Sequence, residues 1–414
     1  MKPFAGRGPH RGAAGAAERE VVLDISRLLS RVLHATPTGV DRVEMAYARG
    51  LLATIPGRLS FAALHPVGRY GRLDRAAVLR FLDETEARWE ANQRPGRWTR
   101  RLAALRACLM LRPRAVPRPA RDTVRVYVHS SPHHLERRDR VAGILAREEA
   151  RLIGLVHDLI PIEYPEYARP NGAALHQARM ATLAGEAAGL ITNSDATRVS
   201  LRRHLERSGH RPIIHVAHLG THPVVAVRPT DGAIDPYFIC VGTIEPRKNH
   251  LLLLNIWRRM IEQHGAAAVP RLVIVGRRGW ENEQVIDMLE RCPALAGHVD
   301  ERAGLPDREM AQLLGGARAL LLPSFAEGFG MPVTEALGAG VPVLCSDLPA
   351  LREAGGDVPE YLDPLDGAGW IRAVQDYADA GSTRRDRQLD RLARWKPPAW
   401  SDHIAILLDL IERV

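Results

Sequence analysis

The sequence predicts an α/β protein of two successive doubly wound units, each a parallel sheet covered by helices, that face a central cleft. Its 414 residues exceed what one hydrophobic core usually covers. From Glu20 onward, short apolar runs rich in branched residues alternate with longer helical patterns, as in a parallel sheet with helical crossovers. A polar, proline-bearing stretch at 228–236 interrupts this alternation, and the pattern restarts at Tyr237. We therefore expect two lobes joined by a linker.

The first half contains the apolar runs that predict the strands of the first lobe. They lie at 21–25, 58–64, 124–129, 152–156, 189–192 and 213–217. Helical spacing predicts one helix after the glycine-bearing turn 36–39 and others at 173–185 and 196–205. The region from about 74 to 121 is predicted to be a helical insertion. Residues 1–19, rich in Gly, Ala and Arg, are predicted to form a flexible tail.

The second half repeats the same alternation. Strands are predicted at 237–241, 271–275, 319–322 and 341–345. Helices are predicted at 249–263 and at 331–337, where Pro332 suits the first turn and Gly338 the end. The last residues, 400–414, form an amphipathic helix with apolar residues on one side, namely Ile404, Leu407, Leu408 and Ile411.

Composition excludes several classes of protein. The four cysteines lie far apart with no spacing that suits zinc, which favours a reducing compartment. No apolar run approaches the roughly 18 residues of a membrane span, and residues 1–19 lack the apolar core of a secretory signal. We expect a cytoplasmic protein. Because the net charge is +9, the candidate partners include nucleic acid, anionic lipid and phosphorylated substrates.

Arginine is concentrated between Glu90 and Asp122, a stretch without any acidic residue. Interleaved with the arginines are large apolar residues, namely Trp98, Leu102, Leu105, Leu109 and Met110. This pattern indicates a basic amphipathic helix followed by a proline-broken exit. Three interpretations stay open: a solvated face of a helix packed on its lobe, contact with an anionic membrane surface, and nucleic acid binding, for which no known motif accompanies the arginines.

Two carboxylates flank a glycine-rich segment in the second half. Glu327 lies in a loop just after a predicted strand, and Glu335 lies about one turn into the next helix, so both are expected to face one crevice. The glycines let backbone N–H groups approach a ligand, and a helix N-terminus favours an anion such as a phosphate. Glu335 would then accept hydrogen bonds from ribose hydroxyls. The alternative is a surface glutamate beside a tight turn.

A second candidate segment, 242–249, also follows a strand and precedes a helix. Its Arg247 and Lys248 stand where the phosphates of a nucleotide need positive charge. Two cations at a helix start oppose the helix dipole unless an anion is bound, which favours a ligand over mere exposure. No Asp-x-Asp motif occurs in the chain, so no metal site is expected, and these two cations together with backbone amides must stabilise any leaving group.

The runs FICVGTIEPRKN at 238–249 and SFAEGFGMPVTEALGAGVPVL at 324–344 resemble glycosyltransferase family 4, whose members are retaining enzymes with the GT-B fold. Two acidic residues with seven between them are the best-known signature of that family. The first half is similar more loosely, through 38–42, 157–161, 164–167 and 193–197. The resemblance covers most of the chain from residue 20 onward.

The resemblance implies a division of labour between two Rossmann-like domains. Residues 20–227 would form the acceptor-side domain, and 237–395 would bind the nucleotide sugar. The helical segment 396–414 would cross back onto the first domain, as terminal helices often do in the GT-B fold. The long basic insertion departs from common members and leaves the acceptor side open.

The resemblance also implies roles for individual residues. Glu327 would lie beside the transferred sugar, Glu335 would hold the ribose, and Arg247 with Lys248 would bind the diphosphate. His157 would orient the sugar from the first domain, although a purely structural histidine is the alternative. The remaining donor-binding residues would be those of the glycine-bearing turns, namely Gly39, Gly242, Thr243, Gly328, Phe329 and Gly330.

By the same resemblance we expect a metal-independent enzyme without a cofactor other than its nucleotide-sugar co-substrate. The expected donor is GDP-mannose and the expected acceptor a lipid-linked oligosaccharide or polysaccharide, with peripheral contact at the inner face of the plasma membrane and no specific nucleic acid partner. The alternative is a nucleotide-sugar-binding protein that has lost turnover and acts as a partner of another protein.

Overall fold

The computed structural model of the protein describes residues 19–34, 36–90, 97–120, 123–206, 209, 211–222 and 236–414. The expected tail, apart from Arg19, and the expected linker, apart from Pro236, lie outside these residues. Arg19 is the first residue of a strand, so the expectation that the tail reaches residue 19 was wrong. Its backbone is held there because the strand pairs with a neighbour from its first residue onward.

Within the described residues, the first lobe is built around a seven-stranded sheet in the order β3-β2-β1-β4-β5-β6-β7. All its neighbouring pairs are parallel except β2 with β3. Its strands are β1 (Arg19–Asp24), β2 (Leu59–Leu64), β3 (Tyr70–Arg72), β4 (Val124–His129), β5 (Ala150–Val156), β6 (Ala187–Thr192) and β7 (Ile213–Val216). Its helices are α1 (Ser26–Ser30), α2 (Gly39–Thr54), α3 (Arg75–Glu90), α4 (Arg97–Met110), α5 (Arg138–Glu148), α6 (Ile160–Glu163), α7 (Gly172–Glu186) and α8 (Asp195–Leu205).

The second lobe contains a parallel sheet in the order β10-β9-β8-β11-β12-β13. This is the order of a dinucleotide-binding fold, with the reversal of strand order between β8 and β11. The strands are β8 (Tyr237–Val241), β9 (Arg271–Val275), β10 (Val299–Arg302), β11 (Ala319–Leu322), β12 (Val343–Ser346) and β13 (Glu360–Leu362). The helices are α9 (His250–His264), α10 (Glu283–Arg291), α11 (Asp307–Gly315), α12 (Met331–Gly338), α13 (Pro349–Gly355), α14 (Gly367–Ala378), α15 (Thr383–Leu392) and α16 (Trp400–Arg413).

The basic insertion is helical over only part of its predicted length. Helices α3 and α4 account for Arg75–Glu90 and Arg97–Met110, and the described residues 113–120 contain no helix. The backbone of Arg114 instead pairs with that of Arg72 at the edge of the first sheet. Prolines at 113, 117 and 119 prevent the helix from continuing there.

Helix α16 packs against α2 and β7 of the first lobe. It buries Ile404, Leu407 and Ile411, whereas Leu408, expected on the same side, is only half-buried. His403 is also buried, and its Nε2 lies 2.7 Å from the hydroxyl of Tyr47. Burial lowers the pKa of His403 to about 4, so the ring is neutral at physiological pH. The end of the second lobe is thereby anchored to the first.

No helix among the described residues is long and apolar enough to cross a membrane.

Candidate functional site

A cavity of about 500 Å³ lies between the lobes, at the carboxyl ends of strands from both sheets. Parallel sheets place their ligand sites at these ends, because the loops that follow the strands meet there. The cavity is lined by every residue that the sequence singled out, namely Gly39, His157, Gly242, Thr243, Arg247, Lys248, Glu327, Gly328, Phe329, Gly330 and Glu335. Polar side chains to which the sequence assigned no role also line it, namely Arg42, Asp158, Asn193, Arg277 and Asp307.

Glu327 is the centre of a buried ionic cluster. The ammonium of Lys248 lies 2.6 Å from its Oε1, and the hydroxyl of Ser324 donates to the same oxygen over 2.6 Å. The guanidinium of Arg247 donates to Oε2 over 2.8 Å. Arg247 also lies 2.6 Å from a carboxylate oxygen of Glu245, which is itself buried. One carboxylate therefore orients both cations that the sequence predicts at the site.

The charge of Glu327 is fixed by its neighbours. Burial alone would raise the pKa of this carboxyl, but the positive charges of Arg247 and Lys248, with hydrogen bonds from Lys248 and Ser324, lower the pKa to about 2. Burial raises the pKa of Glu245, an effect that Arg247 and Lys248 reduce. Glu327 is thus ionised throughout the physiological range, and its charge offsets part of the cationic charge beside the cavity.

The loop after β11 brings the two lobes into direct contact at Gly328. A Cβ built on Gly328 would overlap the carbonyl oxygen of His157, so only glycine permits this approach. The carbonyl oxygen of Gly328 accepts a hydrogen bond of 2.7 Å from the hydroxyl of Ser194 at the start of α8. The glycine-rich loop is therefore held against the strand ends of the first lobe.

Two helix N-termini face the cavity. Helix α12 begins after Gly330, whose φ of 106° is accessible to glycine at little cost. Helix α2 begins at Gly39, and a Cβ there would lie 3.4 Å from the sulfur of Met331 at the start of α12. The dipoles of two such helix ends favour a negatively charged ligand.

His157 follows β5 and lines the cavity from the first lobe. Its Nε2 lies 2.9 Å from the carbonyl oxygen of Ser130, which can only accept, so this nitrogen carries the proton. Burial lowers the pKa of His157 despite that bond and the nearby Asp158. In the neutral ring Nδ1 is consequently a hydrogen-bond acceptor. It can accept a hydrogen bond from a hydroxyl group, such as that of a sugar.

Glu335 lines the cavity rather than the outer surface, which argues against the surface interpretation of this residue. Burial raises the pKa of its carboxyl, an effect that the charge of Arg42 only partly offsets. Arg42 itself donates to both carboxylate oxygens of Asp307, over 2.9 and 2.6 Å. This pair joins α2 of the first lobe to α11 of the second, and it forms one wall of the cavity.

From the ion pair of Arg42 and Asp307 we expect the contact between the lobes to depend on their opposite charges. Asp307→Arg should weaken binding of the expected nucleotide-sugar ligand about fivefold to tenfold, because the reversed charge opposes Arg42 across the cleft. Adding Arg42→Asp should restore part of the loss. Calorimetric affinities for the four variants of the cycle measure the coupling. Strictly additive effects of the two substitutions would contradict a direct contribution of the pair.

Further contacts between the lobes lie around the cavity. Glu353 of α13 accepts hydrogen bonds from the backbone N–H groups of Asp195 and Ala196, over 2.5 and 2.8 Å. The rings of Tyr167 and Phe325 stack with centroids 5.7 Å apart. The second lobe thus caps the first turn of α8, and the two lobes are in direct contact beside the cavity.

In the ranges that the structure describes, no group of three His, Cys, Asp or Glu side chains is arranged to hold a metal ion.

Comparisons with known proteins point to one class. Residues 235–379 match the family profile described as "Glycosyl transferases group 1". Over 130 residues the chain is 37% identical to the O-antigen chain mannosyltransferase B of Escherichia coli, covering 31% of this chain and 33% of that protein. It is 27% identical to the serotype-specific mannosyltransferase WbdA of the same organism, covering 54% and 29%. The chain thus spans about a third of the length of these curated relatives.

The fold has a solved counterpart over nearly its whole length. HepE from Anabaena, crystallised with UDP, superposes with a TM-score of 0.59 at 14% identity and covers 96% of this chain and 100% of that one. At such low identity the likeness concerns the fold alone. The family profile and the mannosyltransferase relatives thus show that part of the chain is similar to glycosyltransferases, and the superposition shows that the fold is the GT-B fold.

Proposed function

We propose that the protein is a retaining, metal-independent transferase that moves mannose from GDP-mannose to a lipid-linked oligosaccharide or polysaccharide. The observation that carries this proposal is the ionic cluster of Arg247, Lys248 and Glu327 beside two helix N-termini in one cavity. Such an arrangement suits a nucleoside diphosphate, whose negative charge grows as its bond to the sugar breaks. The mannose and the O-antigen context come from the names of the relatives.

In the proposed reaction the acceptor oxygen attacks the anomeric carbon on the face from which the diphosphate leaves. The bond between that carbon and the phosphate oxygen breaks, its electron pair stays on the diphosphate, and a phosphate oxygen takes the acceptor's proton. Arg247 and Lys248 bind the departing diphosphate, while Glu327 orients both cations and lies beside the sugar. Nδ1 of His157 accepts a hydrogen bond from a sugar hydroxyl, and the carboxylate of Glu335 accepts hydrogen bonds from the ribose hydroxyls.

A lipid-linked acceptor requires the cleft to work beside a membrane. Peripheral contact with the anionic inner face of the plasma membrane is therefore part of this proposal, and no specific nucleic acid partner is. The rival function, nucleotide-sugar binding without turnover, predicts donor affinity in the absence of any product.

The proposal is tested with a panel of GDP, UDP, dTDP and ADP sugars and lipid-linked acceptor extracts, with products analysed by mass spectrometry and anomeric configuration by NMR. We expect GDP-mannose to be the preferred donor, the product to retain the α-configuration, and added EDTA to leave the rate unchanged. Preference for a UDP sugar would overturn the mannosyl assignment alone. Binding without transfer across the whole panel would favour the rival function.

A further inference from the structure

Helix α4 presents a continuous apolar stripe to solvent. The exposed fractions of its large apolar side chains are 75% for Trp98, 66% for Leu102, 57% for Leu105 and 49% for Leu109. Each residue advances about 100° around a helix, so these four positions fall within an arc of about 60°. Single exposed leucines are common on soluble proteins, but a contiguous stripe of four large side chains marks an interaction surface.

The opposite side of α4 anchors the helix to its lobe. Ala107 and Leu111 are buried in the core of the first lobe, and the carbonyl oxygen of Cys108 lies 3.0 Å from Nε2 of His65. Ala107 lies about half a turn from the stripe. The outward direction of the apolar residues is consequently set by packing, and α4 cannot rotate to bury them without losing these contacts.

Exposed arginines flank the stripe on both sides. On the helical projection Arg101 lies to one side of Trp98 and Arg106 to the other. The guanidinium of Arg101 lies 5.6 Å from the centre of the Trp98 ring, and Arg106 pairs with Glu84 over 3.2 Å. Arg112 extends the exposed positive charge beyond the end of the helix. An apolar stripe between cations matches the interface of a bilayer, with acyl chains in its interior and anionic headgroups above them.

Other occupants fit less well. Duplex nucleic acid offers phosphates to the arginines but leaves four large apolar side chains in water, and its stacking surfaces are not accessible. A second copy of the chain would bring the arginines of two such helices together around a shared apolar centre, which like-charge repulsion opposes. We propose that the outer face of α4 is a membrane-binding surface that inserts Trp98, Leu102, Leu105 and Leu109 into the headgroup region of an anionic bilayer.

The position of α4 along the chain connects this surface with the cleft. A second cavity of about 320 Å³ shares Arg42, Asp307 and Glu335 with the larger one, and Glu90 at the end of α3 lines it. Trp98 is eight residues from Glu90, so their Cα atoms are at most about 29 Å apart. A bilayer bound to α4 would therefore contact the protein no more than about 29 Å from Glu90, which lines the second cavity.

The test measures binding of the full chain to vesicles of phosphatidylcholine, with or without a third of phosphatidylglycerol, in the absence of donor and acceptor. Leu102→Glu with Leu105→Glu should lower partitioning into anionic vesicles at least about tenfold, because two inserted apolar side chains become charged. Arg101→Gln should lower it about fivefold, with the loss confined to anionic vesicles. Leu365→Glu, which alters a 78% exposed leucine in the second lobe, is the matched control. It should leave partitioning unchanged for vesicles with and without phosphatidylglycerol.

Each alternative has its own result. Unchanged partitioning of the double variant, with circular dichroism like that of the wild type, would overturn the proposal. So would tighter binding to duplex DNA than to anionic vesicles, or a dimer that the double variant converts to monomers in sedimentation velocity. Because vesicle binding needs neither sugar nor nucleotide, its failure is distinguishable from failure of the proposed transferase activity.

Discussion

Glu327→Gln should lower the turnover number at least about a hundredfold, the loss typical of removing one group that acts in the transition state. The amide keeps the shape of the side chain but removes the charge that binds Lys248 and Arg247. Both cations would then lose their fixed positions at the diphosphate. Steady-state transfer from the proposed donor, GDP-mannose, measures the effect, and Glu262→Gln, which alters an exposed ion pair of the same lobe, is the control.

The same substitution should also destabilise the protein. Removing one partner of a buried ion pair leaves the other charge uncompensated, which costs about 3–5 kcal/mol. Thermal unfolding of the variant should therefore begin at a lower temperature, and kinetics should be measured well below it. A variant that is stable, binds donor and retains full turnover would show that the cluster has no part in the reaction.

The free energy of unfolding should decrease between pH 4.5 and about 8 because of one carboxyl group in the first lobe. Glu44 is fully buried in α2, and burial, together with the nearby Asp24, raises its pKa from 4.5 to about 8. In this range the unfolded chain has released the proton that the folded protein still holds. The contribution of Glu44 is therefore complete below pH 4.5 and is lost at about 1.4 kcal/mol per pH unit as the pH rises.

Denaturant unfolding of wild type and Glu44→Gln at several pH values tests this expectation. The amide cannot ionise, so the difference in stability between variant and wild type should grow in favour of the variant as the pH increases. Asp83→Asn, which alters an exposed carboxyl of the same lobe, should show no such trend. A difference that is independent of pH would mean that Glu44 is ionised in the folded protein.

The fold class followed from the sequence because its central strands are apolar on both faces. The run at 319–322, for example, consists of four apolar residues and is buried throughout, so its pattern predicts a buried strand. Strands β3, β10 and β13 escaped prediction. They are three or four residues long, lie at or beside a sheet edge and contain charged or small residues, so no apolar pattern marks them.

The site was predictable where residues follow strands directly, since the ends of parallel strands meet at one edge. Arg42 and Asp307 were not recognised as partners, because 265 residues separate them and only the approach of the lobes makes them neighbours. The hydrogen bonds from Glu353 to the start of α8 likewise depend on how the lobes pack. Sequence reasoning located the cations correctly in the cavity but gave no sign that Glu327 binds both.

The anchoring of α16 determines how the two lobes are joined. The chain passes from the first lobe to the second after His222 and returns before Trp400, and the N–H of Thr221 donates to the carbonyl oxygen of Pro398 over 2.8 Å. The two connections therefore begin and end close together, at Thr221 and Pro398. Two neighbouring connections between the lobes permit rotation of one lobe relative to the other about the line that joins the connections. They resist twisting and sliding of the lobes. Domain motion in this molecule should accordingly open one edge of the cleft, and cutting one connection should loosen the assembly without separating its halves.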